Sequence, residues 1–215
     1  RSQWITGRIG ICRFGATLFD YRVHANREAP LSKPKQKGTT MLKTVLSLIA
    51  VASAAVLAYG ATKPDTFQVQ RSTHIHASPE TIFPHIDTLA NWPAWSPWEK
   101  MDPAMKKTTS GPTHGKGAAV AWDGNSDVGT GRMEITDSTP PSKITFSLIF
   151  LKPFEAHNTA EFTLEHTDDG TRVTWAMFGP QGYLMKLMSV FVDCDQMIGK
   201  DFEAGLAALK TVAEK

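Results

Sequence analysis

At 215 residues, 41% hydrophobic and 20% charged, the chain has the balance of a globular protein and room for one ordinary domain plus extras. Its net charge of +2 conceals an asymmetry: residues 1–40 hold eight of the 23 Lys/Arg and only two of the 21 Asp/Glu. The remainder is therefore mildly acidic, which argues against a nucleic-acid binder, and two cysteines (Cys12, Cys194) exclude both a disulfide framework and a thiolate metal site.

Residues 1–40 show no sustained helical or strand periodicity, and residues 27–40 are rich in Lys, Pro and Ser. We expect a disordered tail, or sequence translated upstream of a start at Met41, and place it outside the fold. Between Lys43 and Lys63, nineteen residues carry no charge. As a helix, about 20 such residues span the ~30 Å hydrocarbon core. Residues 41–62 are accordingly expected to be a transmembrane anchor. The alternative is a cleaved signal peptide, with Ala58 and Gly60 as the small residues at its cleavage site. A buried core helix fits less well, since the segment has no polar face for water. In either reading the basic flank precedes the apolar run. That places the following domain on the extracytoplasmic, periplasmic side, tethered or released.

A domain over residues 65–215 follows. Residues 67–75 alternate as a strand. Ser78-Pro79-Glu80 reads as a helix start, with Ser78 as N-cap, Pro79 at the first position and Glu80 at the positive end. The helix should reach about Thr88, bent at Pro84. Prolines forbid a regular helix in Asn91-Trp92-Pro93-Ala94-Trp95-Ser96-Pro97-Trp98. Residues 99–115 read as loop. Strands are expected over 117–122, 128–136, 143–151, 156–166 and 171–178, with turns at Asp123-Gly124-Asn125, Pro140-Pro141, Lys152-Pro153 and Asp168-Asp169-Gly170. Apolar residues from Leu184 to Leu209 recur at helical spacing and predict one long C-terminal helix. One long helix on an antiparallel sheet is an α+β arrangement.

Four stretches carry a resemblance: residues 77–83, the Trp-Pro segment 91–98, residues 129–133 together with 171–175, and residues 197–206. On these, the segment from about Phe67 to Lys210 resembles the SRPBCC superfamily of START/Bet v1-like helix-grip proteins. Within it, the segment is most similar to the small bacterial proteins described as polyketide cyclase/dehydrase and lipid-transport-like. The resemblance implies a curved sheet gripping the long helix around an apolar cavity, used across the superfamily for lipids, hormones, polyketides and aromatic compounds. It also includes members with no known ligand, and many that carry an N-terminal hydrophobic segment.

Alternation places Trp122, Met133, Phe146, Leu148, Asn158, Phe162, Trp175 and Met177 as candidate cavity residues on the sheet, with Met188 and Phe191 opposite. Methionine suits an adaptable apolar surface, although plain core packing explains the same pattern. Asn158 is the polar exception, able to orient a ligand or to be satisfied at a strand start. Trp92, Trp95 and Trp98 form either a lid or a cap on the core. His74 and His76 share a strand face, ~7 Å apart, but that face is expected to see water and no third ligand is placed. Arg132, His157 and Glu161 read as solvated groups on the opposite sheet face. The acidic stretch Asp193, Asp195, Asp201 and Glu203 reads as a solvated helix face. Gly199 and Gly205, unfavourable in a helix, imply close approach, a bend or room for a ligand. No nucleophile elbow, phosphate loop or paired catalytic carboxylates appear, and no cofactor or metal is expected.

The resulting expectation is a binding, possibly transporting, domain for an apolar small molecule or lipid at a membrane. The rivals are a cyclase or dehydratase acting on a polyketide-like or aromatic substrate, and an interaction domain with a filled core. A pocket enclosed by the apolar set would argue against the last, its absence would count against binding, and a buried ionisable group facing it would argue for the enzyme.

Overall fold

The structure is a computed structural model that describes residues 37–191 and 193–215. The tail expected over residues 1–40 lies outside the described residues except for its last four. Those are helical: α1 spans Lys37–Thr62, because no proline separates them from the apolar run and helix propagates easily once nucleated. Thr44 and Thr62 fold their hydroxyls back onto the carbonyls of Thr40 (3.0 Å) and Tyr59 (2.7 Å), so these two hydroxyls spend their donors inside the helix.

Strand β1 (Thr66–Ile75) follows, then α2 (Pro79–Asp87), which runs through Pro84. Ser78 has the extended backbone of an N-cap, but its hydroxyl meets Thr81 Oγ1 (3.2 Å) instead of capping the helix. A 3-10 helix covers Leu89–Ala94, and α3 (Pro97–Met101) begins on Pro97. The meander is β2 (Lys106–Ser110), β3 (Ala119–Asp123), β4 (Thr130–Thr139), β5 (Lys143–Lys152), β6 (Ala156–Thr167) and β7 (Gly170–Pro180). All seven strands form one antiparallel sheet in the order β1-β7-β6-β5-β4-β3-β2.

Three elements differ from expectation. α3 lies where proline was expected to bar a regular helix and where a loop was expected to begin; it forms because Pro97 stands at the first helical position, which needs no amide donor. β2 lies in the stretch read as loop; its sequence Lys-Lys-Thr-Thr-Ser is exposed throughout, so an edge strand of this kind shows no apolar alternation. The C-terminal run is two helices, α4 (Tyr183–Met188) and α5 (Cys194–Ala213). The break has a local cause: Asp193 caps α5, its carboxylate accepting from the Gln196 amide at 3.0 Å.

Residues Val45–Lys215 form one compact unit. The α5 helix lies on the inner sheet face beside β1, with its buried side chains Phe202, Leu206 and Leu209 in the core. Its C-terminal end is tied to the end of β1, where Lys210 donates to the His74 carbonyl (2.9 Å) and Glu214 accepts from the His76 amide (2.7 Å).

Candidate functional site

Strand pairing brings eight of the ten expected cavity residues onto one face. Trp122 pairs with Gly131, two residues before Met133; Met133 pairs with Leu148, and Leu148 with Asn158. Phe146 pairs with Ala160, Ala160 with Met177, and Phe162 with Trp175. Met188 ends α4 and Phe191 follows it, both largely exposed.

That face has a closed half and an open half. In the closed half, Phe146, Phe162 and Trp175 are buried, and Trp92 and Trp95 pack down on them. Ring centroids lie 5.6 Å apart for Trp92–Phe146, 5.7 Å for Trp95–Trp175 and 4.1 Å for the parallel stack of Trp175 on Phe202. The two indoles are held by backbone: Trp92 Nε1 donates to the Ile86 carbonyl and Trp95 Nε1 to the His85 carbonyl, each at 2.9 Å. Trp98 also packs against Trp175, at 5.4 Å. Of the two roles open to the tryptophans, the structure gives them the cap on the core. Trp175 Nε1 is buried without an acceptor among the described residues, a costly state for a polar group.

In the open half, Trp122, Leu148, Phe150 and Asn158 are half-buried. Trp122 meets Phe150 edge-on at 5.8 Å. Asn158 makes no side-chain hydrogen bond to another described residue; its amide oxygen occupies the space that a Cβ on Gly179 would take. A cleft of about 450 Å³ opens along this end beside Phe67, Phe178 and Gly179. A second, of about 420 Å³, lies between Ser78, Glu80, Ser142 and His166. Neither cleft is lined by the ten expected residues; where the cavity between sheet and C-terminal helix was expected, Trp175 stacks directly on Phe202 of α5 and the buried aromatics fill the space.

The electrostatic feature on this side is Arg71, which sequence reading missed. It shares the inner parity of Val69 and Thr73 and donates to Asp195 (3.0 Å) and Glu203 (2.8 Å) of α5. The guanidinium holds the Asp195 carboxyl below its ordinary range. The helix comes this close because residue 199 is glycine, where a Cβ would strike the Arg71 guanidinium. Gly205 similarly admits Trp175, which would lie 2.9 Å from a Cβ there. Close approach is thus the reason for both helical glycines. Asp195 and Glu203 serve as more than a solvated face, and the signal available in the sequence was a lone arginine on an otherwise apolar strand parity.

Asp201 is half-buried on α5, and burial pushes its carboxyl up. On the outer face, Arg132 pairs with Glu134 (2.8 Å), Glu161 with Lys143 (2.8 Å) and His157 with Glu155 (3.1 Å), all surface contacts. His74 and His76 lie with ring centroids 4.9 Å apart, and Asp169 of the β6–β7 turn joins them, with Oδ1 3.0 Å from His74 Nε2. Their ligand-type atoms fall within 4.8 Å of one another. The third group comes from a turn 93 residues away in the chain, beyond the reach of local spacing. His76 and Asp169 are exposed and His74 half-buried, and Asp169 already meets both rings, His74 through its carboxylate and His76 through its main-chain carbonyl.

A seven-stranded antiparallel sheet wrapped against a C-terminal helix, with an apolar inner face, defines a helix-grip domain. The sequence profile described as polyketide cyclase / dehydrase and lipid transport matches residues 66–214, and the chain belongs to that family. Solved structures share the fold. CV1439 from Chromobacterium violaceum superposes with a TM-score of 0.50 at 12% identity, over 71% of this chain and 99% of its own. A protein from Rhodobacter sphaeroides gives 0.51 at 17% identity, over 70% and 93%. The di-domain ARO/CYC protein BexL, from the BE-7585A biosynthetic pathway, gives 0.52 at 14%, over 83% of this chain and 61% of its own. At such identities the likeness shows the fold alone. No curated protein matches the sequence.

Proposed function

We propose that the chain is a membrane-tethered domain that binds an apolar or amphipathic small molecule, such as a lipid, on the open half of its inner sheet face. The carrying observation is the division of that face. One half is sealed by Trp92 and Trp95, while Trp122, Leu148 and Phe150 leave apolar surface half-covered beside Asn158, whose amide makes no hydrogen bond within the described protein. An apolar trough with one unengaged polar group suits a ligand with a hydrocarbon body and a polar head. The ten candidate residues divide accordingly: Trp122, Leu148 and Asn158 form the contact surface, Met188 and Phe191 its rim, and Met133, Phe146, Phe162, Trp175 and Met177 the wall behind it. α1, apolar and long enough to span a bilayer by length and composition over Thr40–Thr62, supplies the tether, with the domain on the extracytoplasmic side.

The filled closed half favours a second reading, in which the domain binds no ligand and presents its surface to another macromolecule. Catalysis on a polyketide-like or aromatic substrate is less supported, since inner-face Arg71 is already engaged by two carboxylates. Native mass spectrometry of the full chain purified from membranes separates the readings. The first expects a co-purifying apolar adduct that Leu148→Trp, filling the trough, removes. A bare chain whose tryptophan emission is also unmoved by titrated phospholipid or fatty acid would overturn ligand binding and leave the interaction domain.

A further inference from the structure

We propose that the open end of the sheet is seated in the membrane interface, so that the trough faces the bilayer directly; this rests on α1 being a membrane anchor. The first observation is where the exposed apolar side chains lie. Outside α1, the large exposed hydrophobics among the described residues are Met101, Leu151, Phe154, Phe178, those of the segment Tyr183 to Phe191, and Met197. Strand directions bring all of them to one end. Met101 precedes the start of β2, Leu151 and Phe154 flank the β5–β6 turn, Phe178 is near the end of β7, and α4 follows β7 after two residues. Met197 is in the first turn of α5, the end opposite the one tied to the end of β1. The opposite end of the sheet carries Pro140-Pro141-Ser142 and Asp168-Asp169-Gly170 turns. A patch of this kind, confined to one end, marks an interaction surface.

The second observation names the occupant. α1 ends at Thr62 and β1 begins at Thr66, so the tether joins the domain at that same end. α4 is fastened to α1 by one face: Tyr183 donates its hydroxyl to the Leu57 carbonyl (2.9 Å), and Leu187 packs on Gly60, where a Cβ would meet its side chain at 2.6 Å. Lys186, on the same side, pairs with Asp65. The other face of α4 and Phe191, three residues beyond it, are open, with Leu184 65% and Phe191 75% exposed. Leu57 is five residues from the end of α1, about 7.5 Å along the axis at ~1.5 Å per residue. That is the depth at which amphipathic segments lie in the boundary between head groups and acyl chains. Once α1 spans the membrane, the apolar end therefore meets lipid before it can meet a soluble partner.

The test uses the full chain carrying Cys12→Ser and Cys194→Ser, with single bimane labels at Ala55→Cys, Phe154→Cys, Phe191→Cys or Ser142→Cys. Each is reconstituted in phosphatidylcholine/phosphatidylglycerol vesicles with or without acyl-chain-brominated lipid. Labels at 154 and 191 are expected to be quenched severalfold more than the label at 142, approaching that at 55. Strong quenching at 55 with 154 and 191 as weak as 142 overturns the seating and leaves the anchor intact. Weak quenching at 55 removes the anchor, and the seating with it.

Discussion

Trp95 shows how one side chain sets the shape of the site. It has no exposed surface, and its Nε1 is anchored to the His85 carbonyl. Truncation would remove both the buried indole and the wall of the closed half. Trp95→Ala is expected to lower unfolding free energy by about 3–5 kcal/mol, the usual range for a large aromatic in a tight core, read as a shift in urea midpoint at unchanged slope. A loss below ~1 kcal/mol would mean the cap is loose. Asp201 carries the reverse lesson, because burial raises its carboxyl above the ordinary value. A raised carboxyl favours the protonated folded state. Its contribution is thus present below the unfolded value of about 3.9 and is lost as pH rises through the folded value. Asp201→Asn should therefore be more stable than the parent at pH 7, with the difference fading at pH 3 in paired denaturation curves. Equal curves at both pH values would refute the burial argument.

At the scale of elements, α5 is held by two different means. From its middle onward it buries Phe202, Leu206 and Leu209, whereas Arg71 holds it through Asp195 in the first turn and Glu203 at the middle. Arg71→Met should raise amide hydrogen exchange across residues 196–200 and leave residues 206–212 protected, as local opening follows local contacts. Uniform protection across the helix would show that Arg71 fastens nothing. Most of these elements could be read from the chain because their signals are local. Alternation in β1 and β4–β7, proline at the start of α2, and turn residues at 140–141 and 168–170 each act within a few positions. β2 escaped because a fully exposed edge strand has no inner face to impose a pattern. The break between α4 and α5 was legible in principle, as Asp193 stands three residues before Gln196, but the continuing apolar spacing masked it. Long-range pairing hid the rest: the inner face of the sheet could be listed by parity, while the Trp92 and Trp95 seal and the partners of Arg71 depend on contacts across the fold.

The described domain is polarised, with the last turns of the apolar helix α1 and an exposed apolar rim at one end of the sheet and polar turns at the other. The last turns of α1 are packed against α4 through Gly60 and Leu57. Two kinds of change in α1 should therefore separate. Ala52→Arg places a charge midway along an unburied apolar helix, at a cost of about 2.5–3.5 kcal/mol for insertion at the bilayer centre. It should shift the chain from the carbonate-resistant membrane fraction toward the soluble one. Gly60→Leu leaves the apolar length intact but drives a side chain into Leu187. That chain should remain in the membrane fraction while α4 loses its seat, seen as faster proteolysis between Tyr183 and Phe191. If both variants stay in the membrane and both resist cleavage, α1 is neither acting as a simple apolar span nor bracing α4, and the coupling of tether to domain fails as a description of the molecule.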